Sequence, residues 1–486
     1  MGRVDVPQML TEVQTGSLRI ERLTELLGGP AAERVRAASQ RARVELGGRS
    51  VVNVNSTARG GGVAEMLLPL VAYARGLGID ARWLVASGDA EFFRITKRVH
   101  NRLHGVEGDG GPLGAAEEAA YEAHLRTISR ELLGRLGADD IVILHDPQTA
   151  GLIPALADAR VPVIWRCHVG VDNPNDHARS AWRFLEGYVN RAERVVFSRE
   201  QFAWDSVEPS RRVIIAPSID ALGPKNQELP DGAPEAILRA AGLRAGRTGE
   251  ADAAFVRLDG RTANVRRRAE LDEDRPLEAD ARYVLQVSRW DRLKDPLGVI
   301  DGFAAHIAPG TDAQLVYAGP DVKAVSDDPE GAEVLREAHD RRAALPADVR
   351  QRVHLALLPM DDLEENGAIV NALQREAAVV VQKSIAEGFG LTVAEAMWKA
   401  RPVVASRIGG IRDQIEHGHS GLLLDDPADL RAYGAGVRRL LGDAALAARL
   451  GRAARERVRE RFLGTHSLLD YLAVIEAILH DREAAV

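Results

Sequence analysis

Residues 378–406 read AVVVQKSIAEGFGLTVAEAMWKARPVVAS, which predicts a strand, a loop, a helix and a second strand in succession. The β-branched run VVV opens the stretch, and the acidic, glycine-containing loop EGFG follows at 387–390. Apolar residues then recur at helical spacing over 391–398. An Arg-Pro pair ends the helix, because proline has no N–H to donate, and VVA begins the next strand. This order is typical of an α/β fold.

The junction between that first strand and the helix is suited to binding a ligand. Gly388 and Gly390 leave their backbone N–H groups unobstructed, and the helix that follows directs its positive dipole end at the loop. Such a site suits a phosphate or a run of sugar hydroxyls. Glu387 and Glu395 lie eight residues apart and can accept hydrogen bonds from one ligand on two sides. Taken alone, the pattern also fits an amphipathic helix with two solvated acids.

Size and composition limit the classes of protein to be considered. The chain has 486 residues, of which 45% are apolar, so we expect two or three domains with substantial cores. Its net charge of −8 gives no general basic field for nucleic acid. The single cysteine, Cys167, excludes an intramolecular disulfide and a multi-cysteine metal site. Because no signal-peptide core and no apolar run of about 20 residues is present, we expect a soluble, cytoplasmic protein that spans no membrane.

The first α/β unit opens with a glycine-rich turn. Residues 50–57 predict a strand, RGGG follows at 59–62, and residues 63–77 predict an amphipathic helix. The loop matches neither G-x-G-x-x-G nor a Walker sequence, so dinucleotide-binding and NTP-hydrolase functions have no support. The bare N–H groups of Gly61 and Gly62 are candidates for binding a diphosphate, although a tight turn alone also explains them.

Two later strands of this unit end in polar residues. Residues 140–144 (DIVIL) run into the tetrapeptide HDPQ, and residues 161–166 (VPVIWR) run into Cys-His. Open α/β sheets bind ligands at the carboxyl ends of their strands, so Asp146 and His168 are candidate site residues. A structural or surface histidine is the alternative for His168.

The second α/β unit carries two cations ahead of the glycine loop. The strand YVLQVSRW (283–290) ends near Arg289, and Lys294 follows in the next loop. Two cations after a strand can straddle a diphosphate, and each charge-assisted hydrogen bond contributes about 1.5–3 kcal/mol. Such residues are more often solvated, but their position upstream of Glu387 favours a ligand site. We predict two Rossmann-like α/β units that face each other across a cleft.

From about Ser50 to the C-terminus, the sequence resembles the retaining GT-B glycosyltransferases of family 4, and within them the trehalose glycosyltransferring synthases. The Arg-Lys pair and the E-x7-E spacing are typical of the superfamily, whereas HDPQ, PSID and QKS with EGFGLTVAEA are typical of the trehalose-forming group. No expected catalytic position departs from the pattern. The segments that carry the resemblance are VNSTARGGGVAEML, ILHDPQTAGL, IWRCHVG, APSIDALGPKN, LQVSRWDRLKDP, IVNALQREAAVVVQKSIAEGFGLTVAEAMWKARPVVAS and GGIRDQI.

The resemblance implies a division of the chain and a role for each segment. Residues 1–46 would form an N-terminal helical extension, and residues 47–216 a Rossmann-like acceptor-binding domain. Residues 217–464 would form a Rossmann-like domain that binds the nucleotide sugar. The last helix, about 465–486, would pack back on the first domain.

The resemblance also implies site roles. Arg289 and Lys294 would bind the donor diphosphate, Glu387 the hydroxyls of the transferred glucose, and Glu395 the donor ribose. His168 would lie over the reacting glucose and, with Asp146, contact the acceptor. The predicted catalytic residues are His168, Arg289, Lys294 and Glu387. The remaining donor contacts would come from Gly61, Gly62, Leu358, Gly388, Phe389, Gly390, Leu391 and Thr392.

The activity that follows is that of a hexosyltransferase. It would make α,α-trehalose reversibly from a nucleoside-diphosphate glucose and free glucose, by front-face transfer in which the departing phosphate oxygen takes the acceptor proton. The two glutamates would then not be a glycosidase acid/base pair. Three alternatives stay open: a retaining trehalose phosphorylase, a family 4 enzyme with another sugar acceptor, and a non-catalytic sugar-nucleotide-binding protein.

The implied partners are small molecules. We expect ADP-, GDP- or UDP-glucose, glucose and trehalose, and the sequence does not distinguish the three bases. No resident metal or other cofactor is expected, and a Mg²⁺ ion accompanying the diphosphate is left open. The N-terminal helices suggest a homodimer.

Overall fold

The computed structural model describes residues 8–58, 62–246, 253–322 and 329–484. The chain forms two compact units. The first consists of Met1–Pro217 together with Gly464–Val486, and the second of Ser218–Leu463. Each unit contains a seven-stranded, mainly parallel sheet with helices, as the alternation of apolar runs and helical periodicity predicts.

The first unit begins with β1, and its sheet ends with β7. Along the chain the elements are β1 (Leu10–Glu12), α1 (Ile20–Leu27), α2 (Gly29–Leu46), β2 (Ser50–Asn55), α3 (Gly62–Gly76), β3 (Asp80–Ala86), α4 (Ala90–Leu103), α5 (Ala115–Leu133), β4 (Ile141–His145), α6 (Ile153–Asp158), β5 (Val163–Cys167), α7 (Asp176–Val189), β6 (Arg194–Phe197) and β7 (Arg212–Ile214). Helices α1 and α2 lie within residues 1–46, the predicted N-terminal extension, and both belong to the first unit. The strand β1, which precedes these helices, was not predicted.

The first sheet has the strand order β1-β3-β2-β4-β5-β6-β7. All of its pairings are parallel except that of β1, which runs antiparallel to β3 at the edge. The central strand β2 is buried along its whole length. It pairs with β3 on one side and β4 on the other, so the strand order reverses there. Ligands of open α/β sheets bind outside the carboxyl ends of the strands at such a reversal.

The second unit follows the same plan. Its elements are α8 (Ala233–Ala240), β8 (Ala254–Val256), β9 (Thr262–Asn264), β10 (Glu270–Asp272), β11 (Tyr283–Val287), α9 (Pro296–His306), β12 (Gln314–Pro320), α10 (Pro329–Ala343), α11 (Ala347–Arg350), β13 (Val353–Leu358), α12 (Leu363–Glu376), β14 (Val379–Gln382), α13 (Leu391–Trp398), β15 (Val403–Ser406), α14 (Ile411–Gln414), β16 (Leu422–Leu424), α15 (Leu430–Gly442) and α16 (Ala444–Arg461).

The second sheet has the order β10-β13-β12-β11-β14-β15-β16. Residues 378–406 form β14, α13 and β15, as predicted. The central strand β11 pairs with β12 on one side and β14 on the other, which makes its carboxyl end the reversal point of this sheet. The charged strand β10, which was not predicted, runs antiparallel to β13 at the edge.

The last helix, α17 (Gly464–Ala484), belongs to the first unit. Ser467 on α17 donates a hydrogen bond to the carbonyl of Ala216, 3.1 Å away. Near its other end, Arg482 donates to Glu193 at 2.8 Å, just before β6. The helix therefore closes the first unit after the chain has completed the second.

Candidate active site in two parts

In the second unit, the fold brings the predicted cations and the glycine loop to the same edge of the sheet. Arg289 and Lys294 follow β11, and Glu387 follows the neighbouring strand β14. Both strands are parallel, so the loops that follow them lie on one side of the sheet. This edge is also where the strand order reverses.

Lys294 and Glu387 form an ion pair in this site. The Lys294 Nζ lies 2.7 Å from Glu387 Oε2, and the two side chains are 16% and 12% exposed. Ser384 donates a hydrogen bond to the same carboxylate oxygen at 3.3 Å. The backbone N–H of Ile385 donates to the carbonyl of Leu293 at 2.8 Å, which ties the two loops together. Two residues that are 93 positions apart in the chain therefore meet as one charged unit.

Arg289 occupies a more exposed position than Lys294. Its side chain is 55% exposed, and its Nη2 lies 2.9 Å from the carboxylate of Asp291. The other oxygen of Asp291 accepts a hydrogen bond from the backbone N–H of Leu293 at 2.8 Å and begins the turn that carries Lys294. The arginine thus lies at the solvent side of the same turn.

A buried polar network under this turn was not predicted. Gln286 on β11 donates to the carbonyl of Lys294 at 2.8 Å. Gln382 on β14 donates to the hydroxyls of Ser288 and Ser384 at 3.1 and 2.9 Å. In addition, Lys383 forms an ion pair with Asp295, the residue that caps α9. Buried glutamines in two otherwise apolar strands were the signal that could have indicated this network.

The glycine loop is shaped by close backbone contacts. Gly390 adopts a φ of +82° as it begins α13, a conformation that glycine adopts without strain. The turn at 406–410 packs directly behind the loop: a Cβ at Gly409 would lie 1.8 Å from the carbonyl oxygen of Glu387. Gly410 donates its N–H to the carbonyl of Gly388 at 2.8 Å. The second glycine turn therefore fixes the shape of the first.

The other predicted donor contacts lie around the same helix start. Leu391 and Thr392 form the first turn of α13, whose N–H groups have no acceptors within the helix. Thr392 donates its hydroxyl to Gln382 at 2.9 Å. Phe389 is buried, with its ring centroid 5.7 Å from that of Phe462. Leu358 is buried at the end of β13.

Glu395 is a buried carboxylate on α13. It is 2% exposed, and its Oε1 lies 3.0 Å from the Nζ of Lys225. Its other oxygen, Oε2, is buried and has no hydrogen-bond partner among the residues that the structure describes. One turn later, Lys399 donates to Asn226 and Gln374 at 2.8 Å each, and burial holds the pKa of its ammonium well below the usual value. The roles of Lys225 and Lys399 were not predicted.

In the first unit, the candidate residues lie at the carboxyl ends of β4 and β5, next to the reversal point at β2. Gly61 lies outside the described residues, and Gly62 begins α3. Asp146, the residue after β4, has a φ of +63°, a left-handed conformation that aspartate tolerates better than most residues. Its carboxylate accepts a hydrogen bond from the backbone N–H of His168 at 2.8 Å. The structure thus brings the two predicted acceptor residues into contact.

The carboxyl group of Asp146 is unusually basic. Burial raises its pKa to about 7, against the opposing effects of the His168 N–H and of the Arg166 charge. Arg166 lies on β5 and is 1% exposed. It donates one hydrogen bond, to Ser198 at 3.3 Å, while its Nε and Nη1 have no partner in the described part of the chain.

Two further residues, His145 and Asn53, extend this site into the sheet. His145 Nδ1 lies 3.0 Å from His168 Nε2, and His145 Nε2 lies 3.1 Å from Asn53 Oδ1. Burial is the main cause that lowers the pKa of both histidines, to about 3 for His145 and well below the usual value for His168. Both rings are therefore neutral. The asparagine within the apolar strand SVVNVN was the signal that could have indicated this contact.

The described residues contain no group of three or more His, Cys, Asp and Glu side chains that could hold a metal ion. None of their helices combines the length and apolarity that crossing a membrane requires.

Comparison with known proteins gives consistent matches over both units. Residues 53–204 match the family model described as trehalose synthase, N-terminal domain, and residues 267–457 match glycosyl transferases group 1. A trehalose synthase of Rubrobacter xylanophilus is 35% identical over 438 residues, which cover 89% of this chain and 92% of that protein. A trehalose phosphorylase of Pleurotus pulmonarius is 26% identical over 447 residues, which cover 87% of this chain and 56% of that protein.

Solved structures show the same fold at low sequence identity. A UDP-forming α,α-trehalose-phosphate synthase from Burkholderia vietnamiensis superposes with a TM-score of 0.62 and 14% identity. The match covers 89% of this chain and 98% of that one. Together with the two Rossmann-like parallel sheets, this similarity confirms the prediction of the GT-B fold class.

Proposed function

We propose that the chain, which belongs to the trehalose synthase family of glycosyltransferases, makes trehalose by transferring glucose from a nucleoside-diphosphate glucose to free glucose. The transfer retains the anomeric configuration of the glucose. The observation that carries this proposal is the Lys294–Glu387 pair at the start of α13. At this strand end a cation, a carboxylate and a helix N-terminus lie together. A sugar diphosphate can use the cation and the helix N-terminus for its phosphates and the carboxylate for its hydroxyls.

On the donor side, the proposal assigns the diphosphate to Arg289, Lys294 and the first N–H groups of α13. Breaking the bond between the sugar and the phosphate places negative charge on the leaving group, and preorganised cations and N–H groups stabilise that charge. Glu387 would bind glucose hydroxyls, and Glu395 would bind the ribose. The Oε2 of Glu395 is buried and has no partner among the described residues, which supports an acceptor role, since such an oxygen favours a ligand that donates a hydrogen bond.

The proposed chemistry is front-face transfer. The bond between the anomeric carbon and the phosphate oxygen breaks, the acceptor hydroxyl oxygen bonds to the same face of that carbon, and the acceptor proton passes to the departing phosphate. A double displacement through a carboxylate requires a free nucleophile. Glu387 is instead paired with Lys294, and Glu395 with Lys225. These ion pairs support a mechanism in which neither glutamate attacks the sugar.

On the acceptor side, we assign His168 and Asp146 to the two sugars. His168 is neutral and keeps one ring nitrogen unpartnered within the described residues, so it can bind a hydroxyl. Asp146 holds the backbone of His168 and remains partly exposed at the strand end. Because its pKa is about 7, this carboxyl group is partly protonated near neutral pH, so it can donate as well as accept a hydrogen bond.

A trehalose phosphorylase activity is the second candidate. One observation favours it: Lys225 already satisfies one oxygen of Glu395, so this carboxylate does not depend on a ribose for a partner. A phosphate ion in place of the nucleotide would then occupy the Arg289 and Lys294 site. The 26% identity with a fungal trehalose phosphorylase is lower than that with the trehalose synthase.

Product analysis by NMR tests both candidates. The purified protein is incubated with ADP-, GDP- or UDP-glucose plus glucose, and in parallel with glucose 1-phosphate plus glucose. We expect α,α-trehalose from a nucleotide donor only, and the relative rates rank the bases. If trehalose forms from glucose 1-phosphate alone, the phosphorylase replaces the proposal.

We further propose a cytoplasmic homodimer that needs no resident metal. The lone cysteine, Cys167, is buried and free, which fits a reducing compartment because disulfides are rare in such compartments. Light scattering tests the dimer. Transfer after treatment with EDTA tests the metal requirement, and restoration by added Mg²⁺ would show that the ion accompanies the diphosphate.

A further inference from the structure

Asn53 places a buried amide beside a buried histidine in the middle of the first sheet. It lies on β2 and is 4% exposed. The neighbouring parallel strand β4 ends at His145, whose Nε2 is 3.1 Å from the Asn53 Oδ1. Polar groups in such a strand are uncommon because each must find a hydrogen-bond partner. The contact with His145 provides that partner.

The contact determines where His145 carries its proton. An amide oxygen can only accept a hydrogen bond, so Nε2 of His145 must be the donor. His145 is neutral, because burial and the charge of Arg166 both disfavour its cation. A neutral imidazole carries a single N–H, so Nδ1 of His145 is a bare acceptor.

The same logic passes to His168. Its Nε2 lies 3.0 Å from the bare Nδ1 of His145, so His168 must carry its proton on Nε2. The ring planes are within 17° of parallel, which allows the Nε2–H of His168 to donate to the lone pair of His145 Nδ1. Because His168 is also neutral, its Nδ1 has a free lone pair. This nitrogen is buried and has no partner in the described part of the chain.

We propose that Asn53 and His145 are positioning residues that hold His168 in the Nε2–H tautomer, so that its Nδ1 accepts a hydrogen bond from a sugar hydroxyl. The identity of that hydroxyl rests on the glucosyl transfer proposed above. A buried acceptor without a donor is unfavourable, so a hydroxyl ligand at this point gains a hydrogen bond that the empty site lacks. The other tautomer would present an N–H there and would favour an acceptor atom instead.

The charged groups around the two rings are consistent with this arrangement. Burial, and after it the charge of Arg166 on β5, lowers the pKa of both histidines and so disfavours an imidazolium, which would donate from both nitrogens. Asp146, after β4, accepts a hydrogen bond from the backbone N–H of His168. The ring of His168 hydrogen-bonds to His145 instead. The tautomer is therefore determined by the Asn53 amide at the other end of the chain of contacts.

NMR of the ligand-free protein tests the tautomer directly. Long-range proton–nitrogen correlation spectra of protein labelled with nitrogen-15 histidine distinguish a protonated from a bare ring nitrogen. The chain has 13 histidines, so the variants His168→Asn and His145→Gln assign the two rings. We expect the proton on Nε2 and a bare Nδ1 in both residues. A proton on the Nδ1 of His168 overturns the proposal.

Two variants of Asn53 test the origin of the tautomer. Asn53→Ala removes the acceptor, so we expect a mixture of tautomers at both histidines and a decrease in kcat of about threefold to tenfold, as for one lost hydrogen bond. Asn55→Ala is the matched control. Asn55 is equally buried two residues later on β2, but its Oδ1 accepts from Trp83 Nε1 at 2.8 Å. The control should lose similar stability and keep the His168 signals unchanged; equal changes in the histidine signals of both variants overturn the proposal.

Asn53→Asp adds a readout that a purely structural role would not produce. A carboxylate beside Nε2 stabilises the His145 cation, which then donates from Nδ1 and forces the proton of His168 onto its own Nδ1. Asp146, which contacts His168, titrates in all three proteins, so the rate of Asn53→Asp should fall more steeply at acidic pH than that of the wild type or of Asn53→Ala. If His168 shows the expected Nε2–H tautomer but the protein forms no trehalose, only the proposed function is contradicted. If His168 carries its proton on Nδ1 and the protein still transfers glucose at the full rate, only the positioning role is contradicted.

Discussion

The candidate site residues of the two units are stabilised in opposite ways. In the second unit, opposite charges are paired: Lys294 with Glu387, Lys383 with Asp295 and Lys225 with Glu395. In the first unit, the central groups are neutral: burial keeps protons off the histidines and keeps one on Asp146 over part of the neutral range. The buried cation Arg166 lies beside them on β5.

This difference corresponds to what each site would bind. A diphosphate brings negative charge, and cations such as Lys294 suit it because charge-assisted hydrogen bonds to phosphate oxygens are strong. A free sugar brings only hydroxyls, and neutral donors and acceptors of defined direction suit it better. The comparison therefore predicts that substitutions in the second unit act mainly through charge, whereas those in the first act through proton position.

Lys294→Ala should have the largest effect. In the proposed mechanism this side chain supplies positive charge where the leaving diphosphate develops negative charge, and losing one such group typically lowers the rate by about 10²–10³. The substitution also leaves Glu387 without its cation. We expect kcat/KM for the nucleotide sugar to fall by that factor, measured by nucleotide release in the presence of glucose.

Arg292→Ala is the control for Lys294→Ala. Arg292 lies two residues earlier in the same turn, but it is exposed and pairs with Glu337 at 2.6 Å. Its loss should change the rate by less than about twofold, as expected for an exposed ion pair. Full activity of Lys294→Ala would remove the donor assignment and, with it, the contrast between the two units.

Glu395→Gln should have an intermediate effect and sharpens the choice between donors. The amide keeps the size of the side chain but loses its charge, and a charge-assisted hydrogen bond exceeds a neutral one by about 1–1.5 kcal/mol. The KM for a nucleoside-diphosphate glucose should therefore rise about tenfold, while the KM for glucose stays the same. Initial-rate kinetics with each substrate varied in turn measures this.

Glu376→Gln provides the comparison for Glu395→Gln. Glu376 ends α12 and lies 3.5 Å from Arg244, so it also loses an ion pair. Neither KM should change. An unchanged KM in Glu395→Gln would show that the ribose is bound elsewhere, and it would favour a donor without a nucleoside.

Much of the fold could be predicted because the buried strands are continuous apolar runs. VVV at 379–381 and DIVIL at 140–144 are examples, and the structure places strands at both. Strands β1 and β10 were not predicted, because each has three residues and carries charge at the edge of a sheet. Pairing with β3 and β13 stabilises them, and such pairing is a property of the tertiary structure rather than of local sequence.

The sequence indicated candidate residues at strand ends and in short motifs, but it did not show which of them are in contact. Glu387 and Glu395 are eight residues apart, and this spacing indicated a site only together with Arg289 and Lys294 upstream. Lys225 lies 170 residues before Glu395, so only the folded chain shows that they form an ion pair. Asn53 and His145 are 92 residues apart and meet because β2 and β4 are neighbours in the sheet.

Asp146→Asn tests the neutral character of the first unit through stability rather than through the reaction rate. Burial raises the pKa of Asp146 from 3.8 to about 7, so between those values the native state binds a proton that the unfolded chain has lost. The free energy of unfolding of the wild type should therefore fall as pH rises through this window, by at most about 1.4 kcal/mol per pH unit from this group. The asparagine variant lacks this contribution.

The measurement is urea unfolding of wild type and variant at about pH 5 and pH 8, with the difference between the two proteins compared across pH. An asparagine oxygen can still accept the His168 N–H, so the contact at 2.8 Å is retained and the variant isolates ionisation. Asp158→Asn serves as control, because Asp158 is exposed and pairs only at the surface with Arg191. Its difference from wild type should stay constant with pH. If the difference for Asp146→Asn also stays constant, the carboxyl is ionised in the native state throughout, and the two units would not differ in the way their polar groups are stabilised.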